Sequence, residues 1–590
     1  MDNVKKRKHQ NLLQGTLILG AATMLVKIIG AIYKIPLGWA LGGVGSGYFS
    51  IAYNVYLPIY TLAMSGLPVA VSRMVAESVS EGRFRDARNL FKLTKKVFVI
   101  TGLVCFVILS GIIAIMMYRS DNPVTLLPLV TIAPSIIFCC IMSIYRGYYE
   151  GLRNMYPTGI SQVIEALGKL FIGLGIAYAI KGVLTNEYNA SGTVMGSVIT
   201  PDGSEATLAE VASKAMMPYV AAGAILGITL GSAFGVLYLV IRHRRTGDNF
   251  TAQDLALSPE PRSTRSNFKM LVAIAVPIVL GSMISQLTAF IDLFIVTGRL
   301  ESVVSTSGQV LRNVYDGLLG GFIDKEVPTF LYGCYTNYAY SLYNLAPTIT
   351  SVIGVSAIPI LATAWKSNDK LSLKTNLEAT MRLSSLIALP AGAGLLALAQ
   401  PILGILYPTQ PIEVAVAAPI LRVLGLTTIF SALTIPATSM LQAIGRQKIP
   451  VYNMIVGAVL KIVINYILVG IPEINIVGAP LGTATCYGYI FFANLAALCK
   501  YSGVKIDIIS VIVKPFVSAV ICGVTAYGVH MLVAGWRGEG SLTTIISVAA
   551  AAVSYLLAVG FLRTLTKDDV IMLPKGQKLA KILEKIRWIS

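Results

Sequence analysis

Residues 12–41 read LLQGTLILGAATMLVKIIGAIYKIPLGWAL. The stretch is long enough to cross a bilayer, which needs roughly 20 apolar residues. It carries two lysines, Lys27 and Lys34, and no acidic residue. Seven positions make close to two helical turns, so both ammonium groups are expected on one stripe, about 10 Å apart along the axis. A charged side chain in the hydrocarbon interior costs roughly 2.5–3.5 kcal/mol on insertion scales. Two such costs on one face point to a wet, positively charged interior built to meet an anion. The alternative is that a lysine snorkels to an interface, and it weighs more for Lys34, near the outer end, than for Lys27.

The rest of the chain agrees with a membrane setting. Of 590 residues, 55% are hydrophobic and only 13% charged, and the mean hydropathy is +0.72. Soluble chains carry about 25% charged residues, so the fold class expected is an all-α polytopic membrane protein. In a soluble protein the net charge of +19 would suggest nucleic acid; here it suggests positive-inside topology, and no nucleic-acid partner is expected. The seven cysteines fall almost entirely in apolar stretches without a CxxC, which argues against a disulfide framework. The three histidines are scattered, so no metal site is expected. The basic start MDNVKKRKHQ precedes an apolar run too long for a signal peptide, and we read an uncleaved first span.

Apolar windows predict fourteen spans: 12–41, 46–72, 97–117, 124–145, 157–180, 215–241, 270–298, 332–364, 383–406, 413–441, 450–470, 475–499, 507–534 and 541–562. With the N-terminus inside, 34 Lys and Arg fall in inner segments and 7 in outer ones. That bias sets both termini on the cytoplasmic side. The expected domains are an N-lobe (1–241), a basic linker (242–269), a C-lobe (270–500), two further spans (501–562) and a basic tail (563–590). In the tail, KGQKLAKILEKIRWIS reads as an interfacial helix on anionic lipid or a solvated end. The outer loop 181–214 is polar and rich in Gly, Ser and Thr, the composition of a mobile loop. The outer loop 301–330 contains VLRNVYDGLLGGFI, which suits a short amphipathic helix along the membrane surface.

The two halves echo each other. Ala52-Tyr53 with Tyr56 is matched by Ala339-Tyr340 with Tyr343, and Ser65-Gly66-Leu67-Pro68 by Ser356-Ala357-Ile358-Pro359. Asn154-Met155-Tyr156-Pro157 leads to Lys169, as Gln447-Lys448-Ile449-Pro450 leads to Lys461. The shared order predicts two six-helix bundles related by an axis along the membrane normal, the arrangement in which transporters bind substrate near the midplane.

Enzyme constellations are missing: there is no GxSxG, no Walker A and no metal-ligand spacing. The reading is therefore not an enzyme, and no cofactor is expected. Without a nucleotide site, work must draw on an ion gradient (Na⁺ or H⁺), the membrane potential or the substrate's own gradient. Lys27, Lys34, Lys169 and Lys461 are the candidates for lining a cationic cavity. Arg422 and Lys514 are weaker, since either can reach an interface. Glu165 stands four residues before Lys169, so the two either neutralise each other or Glu165 gates a site that Lys169 joins. Asp292, in SQLTAFIDLF, is the candidate for ion coupling or for a buried hydrogen bond to a neighbouring helix. Tyr48, Tyr53, Tyr56 and Tyr60 stripe the second span, as packing, an interface belt or a sugar platform. Lysines act as mobile point charges on phosphate, which suits a substrate that is held and then released.

The stretches KIIGAIYKIPLGWALGGVGSGYF, AYNVYLPIYTLAMSGLPVAVSRMVAES, RGYYEGLRNMYPTGISQVIEALGK and PIVLGSMISQLTAFIDLF resemble the polysaccharide-transport branch of the multidrug/oligosaccharidyl-lipid/polysaccharide exporter superfamily. The likeness is to its sporulation-protein and MurJ-type lipid II flippase members. The resemblance covers essentially the whole chain. It implies fourteen helices, two pseudo-symmetric lobes and alternating access around a cationic cavity. The implied substrate is a lipid-linked, pyrophosphate-bearing sugar, with membrane lipids as the other partner. Many MurJ-type members carry arginine in the first helix where this chain has Lys27 and Lys34. The expected function is thus a flippase for an undecaprenyl-pyrophosphate-linked precursor in a bacterial cytoplasmic membrane. The rival on the same fold is a cation-coupled drug antiporter, which would favour an acidic N-lobe. A membrane glycosyltransferase would need more charge in its outer loops, and nothing in the sequence speaks for a scaffold.

Overall fold

A computed structural model describes residues 12–120, 122–248 and 250–566; the basic tail expected after Pro574 lies outside them. Among the described residues the regular structure is helical apart from one small hairpin, β1 (Thr193–Val194) with β2 (Ser197–Val198). It divides into two units, Met1–Phe294 and Ile295–Ser590.

The first unit starts with α1 (Leu12–Met64), which holds the first apolar stretch and most of the second and is broken at Gly42 (φ 57°, ψ −168°). That conformation is essentially reserved for glycine. It turns the helix back on itself, so that Lys34 lies over the ring of Phe49, 5.4 Å from its centroid. In a straight helix fifteen residues would span about 22 Å. A short α2 (Gly66–Ser80) and the long α3 (Phe84–Arg119) follow. Next come α4 (Leu127–Ile132), α5 (Ser135–Gly151), α6 (Tyr156–Gly168), α7 (Leu174–Ser191) and α8 (Leu208–Thr246). Between α6 and α7 one turn, Lys169–Gly173, is π-helical.

What lets α6 and α7 approach α8 is a glycine stripe. Gly223, Gly227, Gly231 and Gly235 recur every fourth residue along α8, one face of a helix. A methyl group on Gly231 would sit 2.7 Å from the Glu165 carbonyl oxygen, and one on Gly168 2.6 Å from the Gly231 Cα. Gly227 faces Gly173 still more closely. Small residues at fixed spacing are how membrane helices pack without a hydrophobic driving force.

The basic segment after α8 is held against the first unit. Asp248 accepts a bidentate pair from Arg88 (2.6 and 2.9 Å) and a 3.3 Å hydrogen bond from the Tyr148 hydroxyl. Beyond a short α9 (Ala252–Leu257), the buried Asp86 accepts from the Arg262 backbone N–H at 2.8 Å and pairs with Arg83 at 3.0 Å. The outer loop 181–214 is likewise built rather than loose. Helix α7 runs to Ser191, the hairpin follows, Asp202 pairs with Lys214 at 3.2 Å, and Thr207 and Glu210 form a reciprocal cap on α8. These local polar contacts are why a loop-like composition does not give a structureless loop here.

Helix α10 (Thr264–Val314), non-helical at Ser307, contains the boundary between the units. Of the surface helix expected in 301–330, the short helical segment beyond the Ser307 kink, ending at Val314, carries VLRNV, and turns follow it. Arg312 ties those turns together, donating to the carbonyls of Leu319 (2.7 Å) and Phe322 (2.9 Å) and pairing with Asp324 at 2.7 Å.

The second unit continues with α11 (Val327–Gly333), a π-helical turn (Cys334–Ala339), α12 (Tyr340–Tyr343), α13 (Leu345–Lys366), α14 (Lys370–Leu406) and α15 (Pro411–Ala443). It ends with α16 (Lys448–Leu468), α17 (Gly478–Ser502), α18 (Lys514–Arg537) and α19 (Ser541–Phe561). Its core joins α13, α14, α15 and α17 through residues such as Leu361, Leu377, Met440 and Leu498. Helices α18 and α19 pack on α14 through Leu398, Cys522, Ala526 and Ala551.

Among the described residues twelve stretches are long and apolar enough to cross a membrane, against fourteen expected. The difference has two sources. Spans 1 and 2 form one stretch, Ile18–Ser80, because a single-residue reversal replaces a loop, and the seventh apolar run, within α10, is not among the twelve.

Gly227→Leu is expected to force α8 off Gly173 and to destabilise the first unit by about 1–3 kcal/mol or more. Gly175→Ala, where nothing lies within 4 Å, should be neutral or stabilise slightly; thermal unfolding in detergent compares them. Burial alone would raise the Asp248 carboxyl, but the Arg88 guanidinium and the Phe250 N–H hold it below the usual carboxylate value. A depressed carboxyl contributes stability above its unfolded value, near pH 4, and loses it as pH falls through the folded one. Docking of residues 250–267 should therefore be constant from pH 5 to 8 and fail only in stronger acid. Asp248→Asn should release it at neutral pH, read as faster proteolysis in that segment.

Candidate cation–aromatic site in the first unit

The Gly42 reversal brings the two limbs of α1 face to face, and aromatic rings line the junction. Phe49 and Tyr53 stack with centroids 6.2 Å apart, and the row continues through Tyr56 (6.2 Å) to Tyr60 (5.3 Å). Lys34, on the first limb, sits over Phe49. Lys169, opening the π-helical turn, lies 4.9 Å from the Tyr33 ring centroid and 5.4 Å from that of Tyr53. Tyr33 and Tyr53 are twenty residues apart on one helix and meet over one ammonium only because the helix folds back. Each cation is attracted by the ring quadrupoles, an effect that strengthens where water is excluded.

Glu165 does not pair with Lys169. Its Oε2 is 3.1 Å from Arg146 Nη2, while Arg146 Nε donates to Ser161 Oγ at 2.8 Å. Its other oxygen accepts from Ser232 Oγ at 3.5 Å, and Ser232 is linked through Cys139 (3.6 Å) to the Tyr56 hydroxyl (3.8 Å). Arg146 is buried at 8% exposure, so the carboxylate is committed to a cation that has no water to fall back on. Among the described residues, aromatic rings are the contacts of Lys34 and Lys169.

Of the residues singled out in the sequence, the structure brings Lys34, Lys169 and Glu165 together. Lys27 is exposed and lies outside this cluster. Asp292 is half-buried on α10, and Lys461, half-buried on α16 of the second unit, lies near Tyr487. The second unit repeats the aromatic theme: the rings of Tyr340 and Tyr343 lie 5.0 Å apart, tilted by 40°, at the positions the internal echo pairs with Tyr53 and Tyr56.

Arg146 was not among the sequence candidates. It follows the apolar window 124–145 by one residue and reads there as part of an inner charged segment. Helix α5 continues to Gly151, which places Arg146 inside the bundle. The usable signal was the spacing of Ser161 and Glu165, four apart and so on one face of α6. Tyr33 escaped notice because a tyrosine beside a lysine reads as an interfacial pair. Among the described residues no three His, Cys, Asp or Glu side chains gather as a metal site.

Comparison with known proteins gives the family and the fold. Residues 12–365 match the family described as "Polysaccharide biosynthesis protein", and residues 336–467 match the MatE family. Stage V sporulation protein B of Bacillus subtilis (strain 168) is 23% identical over 96% of this chain and 98% of its own length. Lipid II flippase MurJ of the same organism is 25% identical over 84% of each chain. A solved structure of lipid II flippase MurJ, in an inward closed conformation, superposes with a TM-score of 0.60 at 12% identity, covering 92% of this chain and 98% of that one; it shows a shared fold. The chain is a multi-pass membrane protein and belongs to the polysaccharide biosynthesis protein family.

Proposed function

We propose that this protein is a flippase that moves an anionic lipid-linked sugar, of the undecaprenyl-pyrophosphate class, across a bacterial cytoplasmic membrane by alternating access. The observation that carries the reading is the pairing of Glu165 with Arg146, which leaves Lys34 and Lys169 over aromatic rings with no carboxylate in ion-pair contact among the described residues. A pyrophosphate brings negative charge for the two lysines, since the Glu165 carboxylate is taken up by Arg146. Charge-assisted contacts from lysines bind it without a fixed bidentate geometry. The stacked Phe49–Tyr53 pair offers apolar faces of the kind that sugar rings cover. The family match, the nearly full-length likeness to a sporulation protein and the likeness over 84% of a lipid II flippase support the same reading.

In this scheme the headgroup enters from the cytoplasmic side, as the charge bias of the loops suggests, and the polyprenyl chain stays in lipid. Lys27 and Lys461 are proposed as further cationic contacts along the route, and Asp292 as a site for a coupling cation or proton. The MatE match over 336–467 favours one alternative, a cation-coupled drug antiporter. The cationic cluster in the first unit weighs against it, because a cationic drug would be repelled there.

Lys34→Ala and Lys169→Ala are each expected to weaken binding of undecaprenyl pyrophosphate by roughly 10- to 100-fold, the loss of one hydrogen bond to a charged group. The double variant should fail to support growth in a flippase-depleted strain. Binding would be measured on purified protein in nanodiscs, with mass spectrometry of co-purifying lipids alongside. Undiminished binding by the double variant would sink the cationic-site reading. Binding of cationic dyes with no lipid pyrophosphate would favour the antiporter.

A further inference from the structure

The Gly42 reversal is clamped from outside α1. Helix α7 reaches across to the last turn before the break: Lys181 Nζ donates to the Ala40 carbonyl at 2.9 Å and the Trp39 carbonyl at 3.4 Å. One turn earlier, the Tyr178 hydroxyl donates to the Pro36 carbonyl at 3.1 Å. Near a helix end the carbonyls run short of intrahelical donors, and the partial negative charge there favours a cation. Lys181 meets both needs from a neighbouring helix. The same helical stretch carries Lys169, twelve positions and about 18 Å away, so one rod touches α1 at the aromatic rings and again at the reversal.

We propose that Lys181, assisted by Tyr178, is a positioning residue for the cation–aromatic site. By holding the last turn before Gly42 against α7, it sets the angle between the two limbs of α1. That angle fixes the spacing of Lys34, Phe49, Tyr53 and Lys169. Lys181 itself contacts backbone carbonyls, so its effect on a ligand passes through the geometry of the reversal. The part of this inference that concerns ligand affinity rests on the flippase reading above; the part that concerns the reversal does not.

Lys181→Met keeps the length of the side chain and removes the charge and donors, Lys181→Arg restores both, and Tyr178→Phe removes a single hydroxyl in case the first variant folds poorly. Two measurements are made on full-length protein in nanodiscs. Hydrogen–deuterium exchange of the peptide covering residues 36–46, without ligand, reads the reversal, and binding of undecaprenyl pyrophosphate reads the site. The expected result is faster exchange in that peptide for Lys181→Met, a smaller increase for Tyr178→Phe, and affinity lowered roughly three- to tenfold. The melting temperature should stay near that of the parent, and Lys181→Arg should recover both readouts. Unchanged exchange in both Lys181→Met and Tyr178→Phe would overturn the inference, as would faster exchange with unchanged affinity. If the parent protein bound no lipid pyrophosphate, the flippase reading would fail, and exchange alone would decide whether Lys181 holds the reversal.

Discussion

The backbone at Gly42 is the constraint on which the first unit depends. A residue with a side chain resists that combination of φ and ψ, and a straight helix would carry Lys34 and Phe49 far apart. Because the chain reverses there in one residue, the first two apolar stretches become facing limbs. Tyr33, Lys34, Phe49 and Tyr53 then line one junction. Everything else in the site is an addition to that junction: α6 and α7 deliver Lys169, and α5 delivers the arginine that occupies Glu165.

Charge at the site is set by competition for a single carboxylate. Local spacing favours Glu165 with Lys169, since residues four apart on a helix are neighbours. The tertiary fold offers Arg146, whose fork also reaches Ser161 and which is already desolvated. A buried guanidinium without a partner would cost several kcal/mol, more than a lysine that can rest on rings and reach toward water. The arginine therefore takes the acid, and the lysines keep the net positive charge. The same logic explains why lysine serves at these positions: its compact ammonium can sit on an aromatic face and still be drawn toward an arriving phosphate.

The aromatic row and its lysine come from different helices, so the site is only as stable as the packing between them. The glycine stripe of α8 supplies that packing in the first unit by letting the Lys169 turn approach at backbone distance. The second unit uses the same device where Gly392 of α14 and Gly425 of α15 meet, each leaving no room for a methyl group against the other's carbonyl oxygen. Two halves that echo each other in sequence thus also share a manner of helix contact.

By itself the sequence determined the membrane setting, the helical class, the doubling of the chain and the presence of unpaired lysines in the first span. These follow from composition, window length and local order, which need no knowledge of neighbours. The glycine stripe was legible too, as Gly223-x₃-Gly227-x₃-Gly231-x₃-Gly235, although apolar windows pass over residues without side chains. Span counting leaves Gly42 to Gly45 as a loop between two helices, because hydropathy registers length and polarity but no backbone angle. Only the tertiary structure decided that Arg146 belongs inside the bundle, that Glu165 faces it rather than Lys169, and that Lys27 stands apart from Lys34. Those outcomes depend on which helices meet and at what rotation, and contacts between residues far apart in the chain set both.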